Sequence, residues 1–190
     1  RISADRNGNF WILTNRWPIR KSGTHFQIVR PEGDESEGYP FQSMCQDDDG
    51  IWFGSNRKIY RYTFSDSSLT LFNELDEYPA FLINNITMMD SHTLLCGSHN
   101  GLVLVDTETG EVRKAPFTLF NEITSILIDS RGWLWVSFYN NGIGVFGKDG
   151  RLIRRYSTSD SDLSNDVVLC MTERDSSVWA GTDGGGINII

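Results

Sequence analysis

One pattern recurs five times along the 190 residues, and it restricts the possible folds more than any other property of the chain. An Asp-bearing turn leads into a short apolar strand that is centred on a tryptophan and closes on a small residue. Asp5-Arg6-Asn7-Gly8 precedes Phe10-Trp11-Ile12-Leu13-Thr14, and Asp47-Asp48-Asp49-Gly50 precedes Ile51-Trp52-Phe53-Gly54-Ser55. Asp129-Ser130-Arg131-Gly132 precedes Leu134-Trp135-Val136-Ser137, and Arg174-Asp175-Ser176-Ser177 precedes Val178-Trp179-Ala180-Gly181-Thr182. One copy is degenerate: Asp90-Ser91-His92-Thr93 precedes Leu94-Leu95-Cys96-Gly97-Ser98, with Leu95 in the Trp place. The aligned positions step by 41, 43, 40 and 44 residues. A period of ~40–45 residues holding four short strands is the signature of a β-propeller blade. The sequence therefore predicts an all-β fold, a β-propeller of four-stranded antiparallel blades.

The strands of a blade are termed A to D from the propeller axis outward. The fourth copy shows all four, at 123–128, 134–137, 143–146 and 152–156, separated by polar Gly-bearing turns. The first copy reads as A from residue 2, B at 10–14, C at 19–22 and D at 25–29. The second reads as 41–45, 51–54, 58–64 and 69–72, where Lys58-Ile59-Tyr60-Arg61-Tyr62 alternates as a half-buried strand does. The third reads as 82–89, 93–97, 102–106 and 111–115, with Asp106-Thr107-Glu108-Thr109-Gly110 as a hairpin connection. The fifth has A at 167–172, B at 178–181 and C at 187–190, with no D strand. The repeats thus run 1–40, 41–81, 82–122, 123–165 and 166–190 as one propeller segment of about four and a half blades. An incomplete blade at each end leads to the expectation of a larger, seven-bladed parent propeller, since an open sheet edge is an aggregation template.

Charge narrows the partners. The net charge is −8 and the Lys and Arg residues are scattered, so nucleic acid is not an expected partner. Anionic membrane surfaces are disfavoured for the same reason, and no run approaches the ~20 apolar residues of a membrane span, so direct membrane insertion is not expected. Cys45, Cys96 and Cys170 each sit among apolar neighbours and are expected to be buried and unpaired.

Several motifs have bland readings that outweigh the chemical ones. Asp47-Asp48-Asp49-Gly50 lacks the alternating oxygen ligands and distal Glu of a calcium loop and reads as a plain turn. Gly142-Ile143-Gly144-Val145-Phe146-Gly147 matches Gly-x-Gly-x-x-Gly in form but is itself a strand, with no helix to follow. His25, His92 and His99 are dispersed, and no Cys-x-x-Cys or His-Glu-x-x-His occurs. No metal, no cofactor and no catalytic set is expected. The repeated Trp11, Trp52, Trp135 and Trp179 read as packing between blades, with the indole N–H tied to a neighbour.

Aromatics that break the repeat lie in or beside the B–C turns and D–A connections, which share one face of a propeller. They are Trp17, Tyr39, Phe41, Tyr78, Phe81 and Tyr139. Arg16, Arg57, His99, Asn100, Asn140, Asn141 and Asp183 lie in B–C turns on that face. Flat rings with amide and guanidinium groups suit an uncharged polyol, which offers C–H patches and many hydroxyls. The candidate ligand-binding residues are Arg16, Trp17, Tyr39, Arg57, Phe81, His99, Asn100, Tyr139, Asn140 and Asp183.

The repeat resembles the two-component-regulator propeller family, whose units read as an apolar strand, Asp-x-x-Gly, a Leu-Trp-Ile-Gly-Thr-like strand and then Gly-Gly-x-Asn/Leu. The fifth copy is the nearest match, through Leu163-Ser164-Asn165-Asp166-Val167-Val168 and Val178-Trp179-Ala180-Gly181-Thr182-Asp183-Gly184-Gly185-Gly186-Ile187-Asn188. The first copy departs after its Trp, at Thr14-Asn15-Arg16-Trp17-Pro18, and the third lacks the Trp. The resemblance implies the periplasmic, extracytoplasmic part of an inner-membrane hybrid two-component sensor. In such a sensor the propeller binds an oligosaccharide without catalysis, and histidine kinase activity lies elsewhere in the parent chain. The expected contacts are that ligand and either a second copy (a homo-oligomer) or the remaining propeller of the parent chain. Two alternatives stay open: a propeller lyase or hydrolase acting on a glycan or small molecule, and a protein-interaction scaffold.

Overall fold

A computed structural model describes residues 1–34, 40–78, 81–117 and 122–190. Among these residues there are nineteen strands in five antiparallel sheets, each sheet one blade of a propeller, and no helix. The first sheet runs β1 (Ile2–Ala4), β2 (Phe10–Ile12), β3 (Ile19–Ser22) and β4 (His25–Ile28). The second runs β5 (Ser43–Gln46), β6 (Gly50–Gly54), β7 (Lys58–Thr63) and β8 (Ser68–Glu74). The third comprises β9 (Asn85–Met88), β10 (Thr93–Ser98), β11 (Gly101–Asp106) and β12 (Val112–Lys114). The fourth comprises β13 (Ile123–Ile128), β14 (Leu134–Phe138), β15 (Gly142–Phe146) and β16 (Leu152–Tyr156). The fifth has three strands, β17 (Val168–Arg174), β18 (Ser177–Thr182) and β19 (Gly186–Ile189).

Some boundaries differ from the sequence reading: β2 stops at Ile12 rather than 14, β8 runs to Glu74 rather than 72, and two A strands start later. β5 begins at Ser43 rather than 41, because the Phe41 amide donates to the Thr14 carbonyl (3.1 Å) and stays in the connection. β9 begins at Asn85 rather than 82, since Leu82 pairs with Asn56 only as an isolated bridge. The Asp106–Gly110 hairpin forms as its composition dictates. Asp106 Oδ1 accepts the Glu108 and Thr109 amides at 3.0 and 2.7 Å, and Gly110 takes φ +75°.

The chain divides into two compact units, residues 1–94 with 106–111 and residues 95–105 with 112–190. In the first unit the B strand β6 is buried along its whole length, as a strand covered on both faces must be. Trp11 is fully enclosed, with its ring centroid 5.4 Å from Phe53 and 4.7 Å from Tyr62 of the next blade. A Trp of this size buries roughly 150–250 Å², worth about 4–6 kcal/mol at ~25 cal/mol per Å². The core of this unit also holds Leu13, Trp17, Phe41, Ile51, Tyr60 and Leu69. Gly54 closes the B strand because a Cβ there would press on Ser43 and Ile83.

In the second unit Trp135 plays the same part. It packs with Val168, Val178 and Ala180 of the fifth blade and with Ile143, Val145 and Leu163. Gly142 opens β15 with φ +70°, and a Cβ there would collide with the Tyr156 carbonyl. The repeated tryptophans are thus structural, although Trp179 is only partly buried.

The cysteines are unpaired, but only Cys96 is buried. Cys45 is partly exposed, and Cys170 is exposed because it lies beyond the β17 bulge between Val168 and Cys170, beside the exposed Leu169. Burial of the Cys45 thiol, reinforced by the Asp47 charge, pushes its pKa up to about 12.

Candidate functional site

On the side of the A–B turns, the Asp-Trp pairs of the first, second and fourth blades each form a closed latch. Asp5 Oδ1 accepts the Asn7 and Asn9 amides at 2.9 Å, while Oδ2 accepts the Trp11 indole N–H at 2.8 Å. Asp47 accepts the Asp49 and Gly50 amides at 2.9 and 3.0 Å and the Trp52 indole at 2.7 Å. Asp129 accepts the Arg131 and Trp133 amides at 3.0 and 2.9 Å and the Trp135 indole at 3.0 Å. Burial alone would raise the pKa of all three carboxyls. The indole and amide donors at each of them, with Arg61 at Asp47 and Arg131 at Asp129, outweigh burial and hold the carboxyls below their ordinary value. These oxygens are occupied by the protein's own donors, which is what closes the turns.

The B–C turns and D–A connections meet on the other side, as a propeller requires. In the first unit Arg57 N donates to Phe81 O (2.9 Å), Leu75 N to Arg57 O (2.7 Å), and Ser55 Oγ to Pro40 O (2.6 Å). In the second unit Tyr139 N donates to Glu122 O, Gly142 N to Asp166 O and Asp183 N to Val167 O, each at 2.9 Å. The motif-rich fifth copy adds a side-chain clasp. Asn188 Oδ1 accepts Ser164 N (3.0 Å), Asn188 Nδ2 donates to Ser164 Oγ (2.8 Å), and Ser164 Oγ donates to Gly185 O (2.8 Å). Asn165 Nδ2 donates to Asp183 O at 2.7 Å. The Ser-Asn and Gly-Gly-x-Asn elements therefore hold the D–A connection on the B–C turn.

The candidate ligand residues divide by environment. Trp17 is 4% exposed and its ring lies 5.6 Å from Phe41 and 5.7 Å from Tyr60, inside the first unit's core. Phe81 is 1% exposed and packs against Tyr78 at 5.8 Å. Their rings are covered because the connections fold back over them, so both serve packing rather than presenting a face. Arg57 takes φ +55°, and its guanidinium lies 3.5 Å from Glu74. Arg16 is exposed in the first unit. In the second unit His99, Asn100, Tyr139, Asn140 and Asp183 are all exposed, Tyr139 at 45% and Asn140 at φ +55°. His99 Nδ1 lies 4.0 Å from Glu122 Oε1. Tyr39 falls outside the described residues.

A groove in the second unit was not among the sequence candidates. One cleft of 780 Å³ is lined by Arg154, Tyr156, Asp160, Asp162, Leu163 and Asn188. A second, of 440 Å³, is lined by Arg131, Trp133, Trp135 and Ser177. The two share Arg154, Tyr156 and Ile190 and so form one groove beside β19. The sequence carries no direct signal for it, because Arg154 and Tyr156 belong to a D strand whose pattern resembles the other D strands.

Antiparallel blades, three of them closed by an Asp–Trp latch, with polar turns tied together on the opposite side, define this chain as a β-propeller. Residues 35–57 and 119–140 match the two component regulator propeller family. No curated protein matches it. Among solved structures it is similar to the extracellular domain assigned to a hybrid two component system of B. thetaiotaomicron. The TM-score is 0.73 at 19% identity, over 100% of this chain and 28% of that one. It is also similar to the extracellular domain assigned to a one component system of the same organism, with TM-score 0.53, 16% identity and coverage of 100% and 33%. Virginiamycin B lyase from Staphylococcus aureus has the same fold, with TM-score 0.72, 18% identity and coverage of 100% and 68%. The chain thus spans less than a third of the first of these domains.

Proposed function

We propose that this chain is a ligand-sensing propeller segment from the extracytoplasmic region of a two-component sensor, and that it binds an oligosaccharide without catalysis. The observation that carries the reading is the backbone tie between B–C turns and D–A connections in a chain bearing two-component regulator propeller repeats. Those ties hold the loops still, so Tyr139, Asn100, Asn140 and Asp183 of the second unit are presented with little ordering cost. The exposed Tyr139 ring offers a flat apolar surface for sugar C–H groups, and the amides and carboxylate pair with hydroxyls. Signal relay follows from differential affinity: ligand that favours one arrangement of the parent sensor shifts its population toward it.

Titration of the chain with a library of neutral oligosaccharides, by calorimetry and with product analysis of the same mixtures, tests the reading. Binding without product, weakened about tenfold or more by Tyr139→Ala, is the expected result. Release of product would establish a lyase or hydrolase instead. No binding to any glycan, with capture of a protein partner, would establish a scaffold.

A further inference from the structure

We propose that Arg57, in the B–C turn of the second blade, binds an anionic group of the ligand, a carboxylate or a sulfate, and so selects for acidic glycans. The inference rests on the oligosaccharide reading above only for the sugar that carries that group.

Arg57 stands five residues after Trp52 in the repeat and takes φ +55°. The same place after Trp135 is held by Asn140 at φ +55°, and after Trp179 by Gly184 at φ +78°. Gly enters this left-handed region freely and Asn is enriched there, whereas the Arg Cβ crowds the following carbonyl. The turn is nonetheless held on both sides. The Arg57 amide donates to Phe81 O at 2.9 Å, and its carbonyl accepts the Leu75 amide at 2.7 Å. A disfavoured side chain fixed in a connecting loop is how backbone strain accompanies a binding site.

The guanidinium is also little used by the protein. Arg61 and Arg131 commit theirs to the latches, at 2.7 Å from Asp47 and at 2.9 and 2.6 Å from Asp129. Arg57 Nη2 reaches Glu74 Oε1 at 3.5 Å, longer than a charge-assisted hydrogen bond, and the side chain is 37% exposed. Lys58 Nζ lies 3.7 Å from the same carboxylate, so one acid faces two cations. Asp76 and Glu77 follow in the same connection and are exposed, and among the described residues no ion pair joins either to Arg57. An exposed pair as loose as Arg57–Glu74 contributes too little to offset a left-handed Arg. Glu74 orients the fork, and the remaining N–H donors are free to take a planar acid in bidentate fashion. Tyr78 is partly exposed and packs 5.8 Å from Phe81, whose carbonyl holds the turn. Its ring can cover the sugar that carries the acid.

The probes are sodium glucuronate and sodium sulfate, titrated to tens of millimolar at constant ionic strength, with glucose as the neutral control. NMR follows the Arg57 Nε–H and the Lys58 amide. Saturable shifts with glucuronate or sulfate, and none with glucose, are expected, and the tighter of the two anions tells carboxylate from sulfate. Arg57→Asn keeps a residue suited to the turn. It should weaken the response of the Lys58 amide about tenfold or more, and raise the thermal midpoint by about 2 °C because the crowded Cβ is relieved. Arg57→Lys, which keeps the charge without the fork, should fall between. No shift at tens of millimolar anion, or the same shift with glucose, overturns the proposal. A lower midpoint in Arg57→Asn also overturns it, because the residue would then serve its pair with Glu74. If the anions shift Arg57 and no oligosaccharide binds the chain, the anion site stands and the oligosaccharide reading fails. If oligosaccharides bind and Arg57 is silent to both anions, that reading stands and the anion site falls.

Discussion

Removing the Asp129 carboxylate should cost far more than a turn residue usually does, and the cost should depend on Trp135. Asp129 is 4% exposed and holds the Trp135 indole at 3.0 Å and the Trp133 amide at 2.9 Å. In Asp129→Ala both donors lose their acceptor in surroundings that water does not reach freely. At about 1–3 kcal/mol for each unsatisfied buried donor, the loss is about 2–6 kcal/mol. Arg131, whose guanidinium also binds Asp129, is exposed and regains water, so it adds little. Trp135→Phe removes the indole donor and some volume, for about 1–3 kcal/mol. In the double variant no indole remains to be stranded, so the two losses should fall short of additivity by about 1–2 kcal/mol. Urea unfolding followed by far-UV circular dichroism, which is indifferent to the lost tryptophan, measures all four corners. Additivity within about 0.5 kcal/mol would mean that the carboxylate acts on the turn alone, and the latch reasoning would be refuted.

Acid should act through the same groups. Asp5, Asp47 and Asp129 are held below their ordinary value of 3.8, so the stabilisation they provide is complete above that pH and is lost as pH falls through the folded-state values. The urea midpoint should hold down to about pH 5 and fall below about pH 4, with a shallower fall in Asp129→Asn. Ellman's reagent at mild alkaline pH should label Cys170 quickly, and Cys45 and Cys96 only on unfolding; equal labelling of all three would contradict the enclosure of Cys45. Ser164→Ala should cost about 1 kcal/mol and raise amide exchange at Gly185 and Gly186, because the Ser164 Oγ bonds to the Gly185 carbonyl and the Asn188 amide are lost. Gly142→Ala should cost about 2 kcal/mol or more, read from the thermal midpoint, since both φ and the Tyr156 carbonyl oppose a Cβ.

The architecture was legible because it is written several times over. A single Asp-turn and Trp strand is ambiguous, but copies in register at one period restrict the fold class, and the three-stranded fifth sheet follows from counting them. Turn chemistry was equally plain at Asp106–Gly110. The indole-to-carboxylate bond was only half legible: the sequence says the indole needs a partner, and the distance of five or six residues back to the Asp shows it only once the A–B hairpin is closed. Trp17 and Phe81 show where the reading of loop aromatics reaches its limit. Position in a connection says nothing of whether that connection folds back over the core, and both do. Cys170 follows the same rule in reverse, since apolar neighbours in sequence do not tell which face of β17 is covered. The groove beside β19 arises from tertiary juxtaposition of β16, the 157–163 connection and the last strand, with no local pattern of its own.

The latch has a genealogical consequence. Turn, carboxylate and indole all come from one stretch of six or seven residues, so a duplicated gene segment arrives with its fastening already complete. What must be renegotiated with each new neighbour is only the surface that receives the indole ring, as Phe53 and Tyr62 receive Trp11. A lineage can therefore lengthen or shorten such an array by whole copies, and a copy that has shed its tryptophan, like the one at Leu95, can persist among neighbours that kept theirs.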